Sequence, residues 1–303
     1  MANNPSTVPT ELTPEDPDWP SGLNDAAPAL ERLRILGRLP DLTRAVAIVG
    51  TRAADVEGLV FARTLARELG RAGCPILSGG ASGIDAAAHR GALLAGAPTV
   101  AVMAGGLDYL TPRSNRTLFS EIQVAGALVS EHFDDVAPRR ERFVARNRVI
   151  AALATVTVVV QAPARSGALS TAASARAMGR GLFAVPAGPW ELRGHGCLDL
   201  LRQGAEVCTG ARDVLRLVDA GPREERRPAS SDLQSTFAFS PEDEPSPETE
   251  ILRVLADRPL HPDELLLRTG LSGDRLRAAL AVLLRSRRVE LWRGRYALSE
   301  APQ

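Results

Sequence analysis

The residues of this chain that could do chemistry are glycines, hydroxyls and arginines in short runs, and the chemistry they suit is the holding of phosphate. Gly50-Thr51-Arg52 is one such run. Ser78-Gly79-Gly80-Ala81-Ser82-Gly83-Ile84-Asp85 is another, in which the glycines let backbone approach an oxyanion and Asp85 is placed to cap a following helix. Gly105-Gly106 is followed by the polar donors of Arg113, Ser114 and Asn115. Arg165-Ser166-Gly167 stands directly before a helical pattern, where Ser166 and the amides of Gly167 and Ala168 would make an anion cradle. Each run by itself is also what a tight strand-to-helix turn requires.

Pro138 to Ile150 reads PRRERFVARNRVI, with Arg139, Arg140, Arg142, Arg146 and Arg148 set against Glu141 and with Phe143 among them. Guanidinium groups take phosphates while a ring stacks a base, so arginine interleaved with an aromatic suits a single-strand groove. A solvated helix face with Phe143 in the core is the alternative. A dinucleotide site would show G-x-G-x-x-G and an acidic residue near the end of the second strand, and neither is present, which argues against NAD. His89, one helical turn after Asp85, could form a metal or acid/base couple with it, yet a capping carboxylate beside a buried histidine explains the same spacing. Cys74, Cys197 and Cys208 lack paired spacing, so neither zinc nor a disulfide framework is expected, and a reducing compartment is.

The elements that must position these residues are legible as a pattern. From Ala45 short apolar runs alternate with segments of helical period: AVAIVG, Asp55 to Ala72, CPILSGG, Ile84 to Ala95, PTVAVMAGG, and onward through TVTVVVQA, Leu169 to Met178 and GLFAVP. That alternation predicts β-α-β units in an open, mostly parallel α/β sheet, whose ligand loops lie at the carboxyl ends of the strands. Residues 1–43 read as a partly disordered leader with one short amphipathic stretch, Ala29 to Leu36. Residues 44–219 form the sheet domain and residues 220–247, rich in Pro, Ser and charge, a linker. Residues 248–303 predict three helices, Glu248 to Ala256, Pro262 to Thr269 and Ser272 to Ser286, then two strands around Arg293-Gly294, which is the order of a winged helix. Acidic and basic residues balance at 36 each, all of the basic ones arginine, so a polyanion site must be local. No apolar segment approaches the ~20 residues of a membrane span, and a soluble cytoplasmic protein is expected.

Taken in order, these loops resemble the DNA processing protein A family (DprA, also called Smf). The resemblance rests on Gly50-Thr51-Arg52, SGGASGIDAAAH (Ser78 to His89), GGLDYLTPRSN (Gly105 to Asn115), FVARNRVIAAL (Phe143 to Leu153), RSGALSTA (Arg165 to Ala172) and the later VPAG and GC segments. It implies an extended Rossmann-like domain that dimerises, binds single-stranded DNA with little sequence preference and helps load the RecA recombinase in natural transformation, without being an enzyme and without a cofactor. It implies that Arg52 meets a phosphate, that the Ser166-Gly167 turn meets another, and that Phe143, Arg146 and Arg148 line the strand's path. Arg142, Asn147, Arg165, Arg113 and Asn115, with Gly50 and Thr51, complete the expected contacts. Gly79, Gly80, Ser82, Gly83, Asp85, Gly105 and Gly106 form the phosphate-loop scaffold. The chain departs from the family at Ser82, where many members carry arginine, at Thr111, where tyrosine is usual, and at Ala187 and Leu198, which replace a glycine and an asparagine. Its N-terminus is also expected to leave no room for the helical domain of some members.

Two other readings stand beside this one. Nucleotide phosphoribohydrolases share the glycine loop but need a glutamate on the helix that follows a P-G-G-x-G-T turn, and here no carboxylate occurs between Gln161 and Trp190, with Thr171 near that place. A duplex-DNA-binding regulator would use the winged helix, whose third helix carries Arg275, Arg277 and Arg285 and whose wing carries Arg293 and Arg295. Leu276, Leu280, Leu283 and Leu284 assign most of that helix to core.

Overall fold

The computed structural model describes residues 8–220, 246–255, 259–269, 271–286, 288–292 and 294–298. The chain divides into two compact units, Met1–Glu224 and Glu225–Gln303. Residues 221–245, most of the expected linker, lie outside the described residues.

The first unit is built on four-residue strands of almost pure Val, Ile, Ala and Leu: β3 (Val46–Val49), β5 (Thr99–Val102), β6 (Ala127–Ser130) and β7 (Val156–Val159). All of their residues are buried, as expected of strands covered on both faces. With β1 (Thr10–Leu12), β2 (Leu33–Gly37), β4 (Ile76–Ser78), β8 (Gly181–Ala184) and β9 (Glu206–Val207) they form one nine-stranded sheet ordered β1-β2-β6-β5-β4-β3-β7-β8-β9. Every pairing from β6 to β9 is parallel, and β1 and β2 pair antiparallel at one edge. Crossover helices α1 (Val56–Arg71) and α2 (Ile84–Leu94) cover one face, with α3 (Arg116–Ala125) beside α2. α4 (Arg140–Leu153), α5 (Ala168–Ala177) and α6 (His195–Arg202) cover the other, and α7 (Ala211–Asp219) returns to the first. α1 starts where the Asp55 carboxylate accepts from the Gly58 amide at 2.8 Å.

The leader departs from expectation. Instead of a partly disordered leader, Leu33–Gly37 is a strand whose residues 34 to 37 pair with Ser130 to Ala127 of β6, and Thr10–Leu12 pairs with it in turn. Trp19, Leu23, Leu30 and Leu33 enter the core beneath α4. The boundary expected near residue 43 therefore falls inside the sheet. Antiparallel edge strands carry no helix of their own to announce them, and β2 gains its burial from a partner more than ninety positions away.

The second unit has helices α8 (Pro247–Leu255), α9 (Pro262–Thr269) and α10 (Gly273–Arg285), then a hairpin of β10 (Val289–Trp292) and β11 (Arg295–Leu298). This is a winged helix around Ile251, Leu255, Leu265, Leu276, Leu280 and Leu283. Leu284, expected in that core, is exposed instead. Among the described residues no helix is long and apolar enough to cross a membrane.

If the leader is part of the core, Leu33→Ala, which empties a fully buried position, lowers unfolding stability by ~3 kcal/mol in urea titrations. A change within ~0.5 kcal/mol would return the leader to the surface.

Candidate nucleic-acid interface

The chain winds from β3 to β4, β5 and β6 on one side, then returns to place β7 on the other side of β3. The crevice outside the carboxyl ends of β3 and β7 is thus the topological switch point, where open α/β sheets take ligands. Three segments meet there. The Thr51 amide donates to the Gln161 carbonyl at 2.7 Å, and the Ile84 amide donates to the Thr51 carbonyl at 3.2 Å. Gly83 closes this contact at φ +81°, where a side chain would be strained and a Cβ would collide with the Thr51 oxygen. Gln161 in turn clasps Asp55, donating from Nε2 to Oδ2 at 2.6 Å and accepting from the Asp55 amide at 3.2 Å. The Gly58 amide, ahead of Gln161, holds the Asp55 carboxyl below the usual range despite partial burial. Arg52 is left exposed at the rim, its guanidinium 5.1 Å over the ring of half-buried Phe143 on α4.

The rest of α4 faces inward, against expectation. Arg146 is buried; its guanidinium donates to the Gly79 carbonyl at 2.8 Å and to the Val102 carbonyl, and its Nε donates to Asn147 Oδ1 at 3.3 Å. Burial pushes its pKa down to about 10, with the Asp85 carboxylate opposing, so the charge survives at neutral pH. Asn147 is buried and donates to the Gly167 carbonyl at 3.0 Å and to Ser170 Oγ at 2.7 Å. Arg148 makes a two-pronged pair with Glu131 at 2.8 and 2.7 Å and donates to the Pro28 carbonyl at 3.0 Å. Arg146, Asn147 and Arg148, expected along the strand's path, are therefore structural. Most of their hydrogen bonds go to protein groups from other segments, Gly79, Val102, Gly167, Ser170, Glu131 and Pro28.

The glycine loops are also internally satisfied. Asp85 accepts from the Gly79 amide at 3.2 Å and from the Ala81 amide at 3.3 Å, filling the oxyanion position itself, while burial raises its pKa against the pull of Arg146. The Gly106 amide donates to the Val136 carbonyl at 2.7 Å, and buried Asn115 donates to the Gly80 carbonyl at 3.0 Å, so Asn115 is scaffold rather than contact. His89 does not pair with Asp85. Its Nδ1–H donates to Thr99 Oγ1 at 2.7 Å, the Thr99 hydroxyl donates to the Ile76 carbonyl, and burial pushes the imidazole pKa down to about 3. Among the described residues no cluster of His, Cys, Asp or Glu could hold a metal ion, and the cysteines are free and buried.

What remains accessible lies along one edge. Arg52 follows β3, Arg113 and Arg116 follow β5, Arg139, Arg140 and Arg142 open α4, and Arg165 and Gly167 follow β7; Ser82 is exposed at the α2 start. Ser166 sits half-buried with its hydroxyl accepting from the Ala168 amide at 3.3 Å. Arg142 donates to the Ala137 carbonyl, which fixes the entry to α4. One stacked pair escaped sequence reasoning: Arg32 lies 3.9 Å over the ring of Phe133, which is 51 % exposed just after β6. Only the β2–β6 pairing brings Arg32 there, and that pairing left no mark in the sequence.

A family model described as DNA recombination-mediator protein A matches residues 10–219, and one described as DprA winged helix domain matches residues 235–294. The putative DNA processing protein DprA of Mycobacterium tuberculosis (strain ATCC 25618 / H37Rv) is 43 % identical over 221 residues, covering 68 % of this chain and 57 % of its own length. Protein Smf of Synechocystis sp. is 39 % identical over 219 residues, covering 71 % and 55 %. The chain thus spans little more than half the length of these curated relatives. The structure of DNA processing protein A from Streptococcus pneumoniae aligns with TM-score 0.63 and 34 % identity over 68 % of this chain and 73 % of that one. The protein of the same name from Helicobacter pylori, described with a unique single-stranded DNA binding mode, aligns with TM-score 0.63 and 30 % identity over 71 % of this chain and 97 % of that one.

Two expectations follow from these contacts. Arg148→Ala removes a buried guanidinium and strips half-buried Glu131 of its two-pronged partner, so it lowers stability in urea by ~2 kcal/mol, whereas Arg52→Ala changes it by less than ~0.5 kcal/mol; equal effects would undo the division into anchor and rim. His89 binds its proton far more weakly folded, at about 3, than unfolded, near 6.5. Between those values the unfolded chain holds the extra proton, so stability is lost as pH falls, by up to ~1.4 kcal/mol per unit from this group. Urea midpoints at pH 6.5 and 5 check this, since His89→Gln flattens the slope by that amount.

Proposed function

The chain belongs to the DNA recombination-mediator protein A family, and from that premise we propose that it binds single-stranded DNA without sequence preference along the carboxyl edge of its sheet. The observation that carries this reading is the Arg52 guanidinium held over the Phe143 ring at the rim of the switch point. Arg52 takes a phosphate while the ring stacks the adjoining base. Arg165 with the Ser166-Gly167 turn takes a further phosphate on the β7 side, and Arg142 and Arg113 take others toward β5. The Helicobacter pylori relative's single-stranded DNA binding supports the same partner here. Phosphates carry no base identity, which accounts for the lack of sequence preference.

The finer reading is that of a cytoplasmic homodimer that helps load the RecA recombinase on the bound strand in transformation or recombination. We read the chain as a binding protein rather than a nucleotide phosphoribohydrolase, because Thr171 is buried within α5 and Asp85 is committed to the amides of Gly79 and Ala81. For the winged helix we read an accessory, protein-contacting role, since Arg277 pairs with Asp274 and Arg295 with Glu264.

Fluorescence anisotropy of the full chain with labelled oligo(dT) and with duplex DNA tests this. Log K against log salt should fall with a slope of about −3 for four neutralised phosphates, with the single strand preferred. Arg52→Ala should cost roughly tenfold on every sequence alike. A flat salt dependence, or an Arg52→Ala chain that binds as the parent does, overturns the assignment.

A further inference from the structure

The loop after β8 carries a tryptophan that packing does not explain. Trp190 is 83 % exposed, whereas Trp19 is buried in the core. A ring of this size left in water is uncommon, because indole is among the largest apolar groups a fold can bury. The loop holds it in a defined place. The indole lies against the backbone of Gly188, where a Cβ would fall 2.6 Å from Cε2 and 2.8 Å from Cζ2, so glycine at 188 gives the ring its seat. The Glu191 amide donates to the Gly188 carbonyl at 2.9 Å and closes the turn, and His195 Nε2–H donates to the Pro189 carbonyl at 3.1 Å. The Gly196 amide donates to the Ala162 carbonyl at 2.8 Å, which fastens this segment to the loop that carries Arg165 and Ser166.

Charge accompanies the ring. Arg193, 52 % exposed, lies 4.0 Å from Asp55 at the start of α1 and 4.0 Å from Glu191 in its own loop, long contacts that leave it accessible, and the first of them sets this loop beside the switch point. β8 is the neighbour of β7, and β7 the neighbour of β3. Strands lie about 4.8 Å apart, so the β8 loop is about 10 Å along the edge from the β3 loop.

We propose that Trp190 is a second base-stacking platform, with Arg193 as its phosphate partner, which continues the single strand's path past the β7 turn to the β8 loop. This inference rests on the single-strand reading given above. An aromatic face beside a guanidinium is the chemistry of sequence-tolerant strand binding, and it pairs here with the Arg52 and Phe143 arrangement. Single-stranded DNA thus meets a ring at each end of the turn formed by Arg165 and Ser166.

The test uses the full chain with oligo(dT) of about 20 nucleotides and an abasic strand of equal length. Binding of oligo(dT) quenches tryptophan emission in the parent chain, and Trp190→Ala removes most of that quench and weakens affinity roughly tenfold. Trp190→Phe restores most of the affinity, and on the abasic strand the parent and Trp190→Ala bind alike. If Trp190→Ala binds oligo(dT) as the parent does while Arg52→Ala weakens it, this inference falls and the single-strand reading stands. If the parent shows no affinity for oligo(dT), both fall. Unchanged DNA affinity with loss of self-association in sedimentation assigns the ring to a second copy of the chain and overturns the proposal.

Discussion

A guanidinium in a protein interior needs acceptors for its N–H groups and a negative charge within reach, or the fold does not tolerate it. Arg146 meets that demand only where the ends of β4 and β5, the Asp85 carboxylate and α4 converge. Fixing this one side chain sets the azimuth of α4, and much else follows by helical spacing. Phe143, three residues earlier, is carried to the rim beside Arg52. Asn147 reaches the β7 turn through Gly167 and Ser170, and Arg148 points to Glu131 and the leader. The rim is thus the visible end of a buried polar network.

The leader shares in that network. The Pro28 carbonyl takes Arg148, Asp25 takes Arg180 at 2.8 Å, and Arg34 pairs with Asp134 in the segment after β6. Leu23 and Leu33 seal the same face with apolar surface. Residues that read as a solvated extension are bound to the sheet by contacts of both kinds, and the segment after β6 is held between them and the loop at Gly106.

The parallel core was legible in the sequence because each of its strands is an apolar run framed by helical period, a signal contained within about twenty residues. The three helices and hairpin of the second unit were legible for the same reason. The leader strands were not, since β2 reads as a short amphipathic stretch of undefined structure unless β6 is known to lie beside it. At the site, the strand order makes the loops after β3 and β7 share one edge, and the arginine–aromatic run adds Phe143, which the structure sets beside Arg52. Arg146, Asn147 and Arg148 face inward instead, and an arginine run beside an aromatic looks the same whether its partners are solvent, phosphate or carbonyls of distant segments. The residues that would have decided it, Val102, Glu131 and Pro28, carry no local mark, and the mark on Gly79 points to an oxyanion rather than to an arginine.

Asp85 gives the glycine loop a character of its own. A carboxylate tethered by its own chain sits on the amides of Gly79 and Ala81 at an effective concentration that no dissolved anion matches. Those two amides are therefore already taken, and a free anion would have to displace Asp85 to reach them. Grip on any polyanion falls to side chains spread along the rim, each weak by itself and strong only when many are engaged at once. On the single-strand reading proposed above, such a surface would discriminate by the length of its ligand and release short fragments.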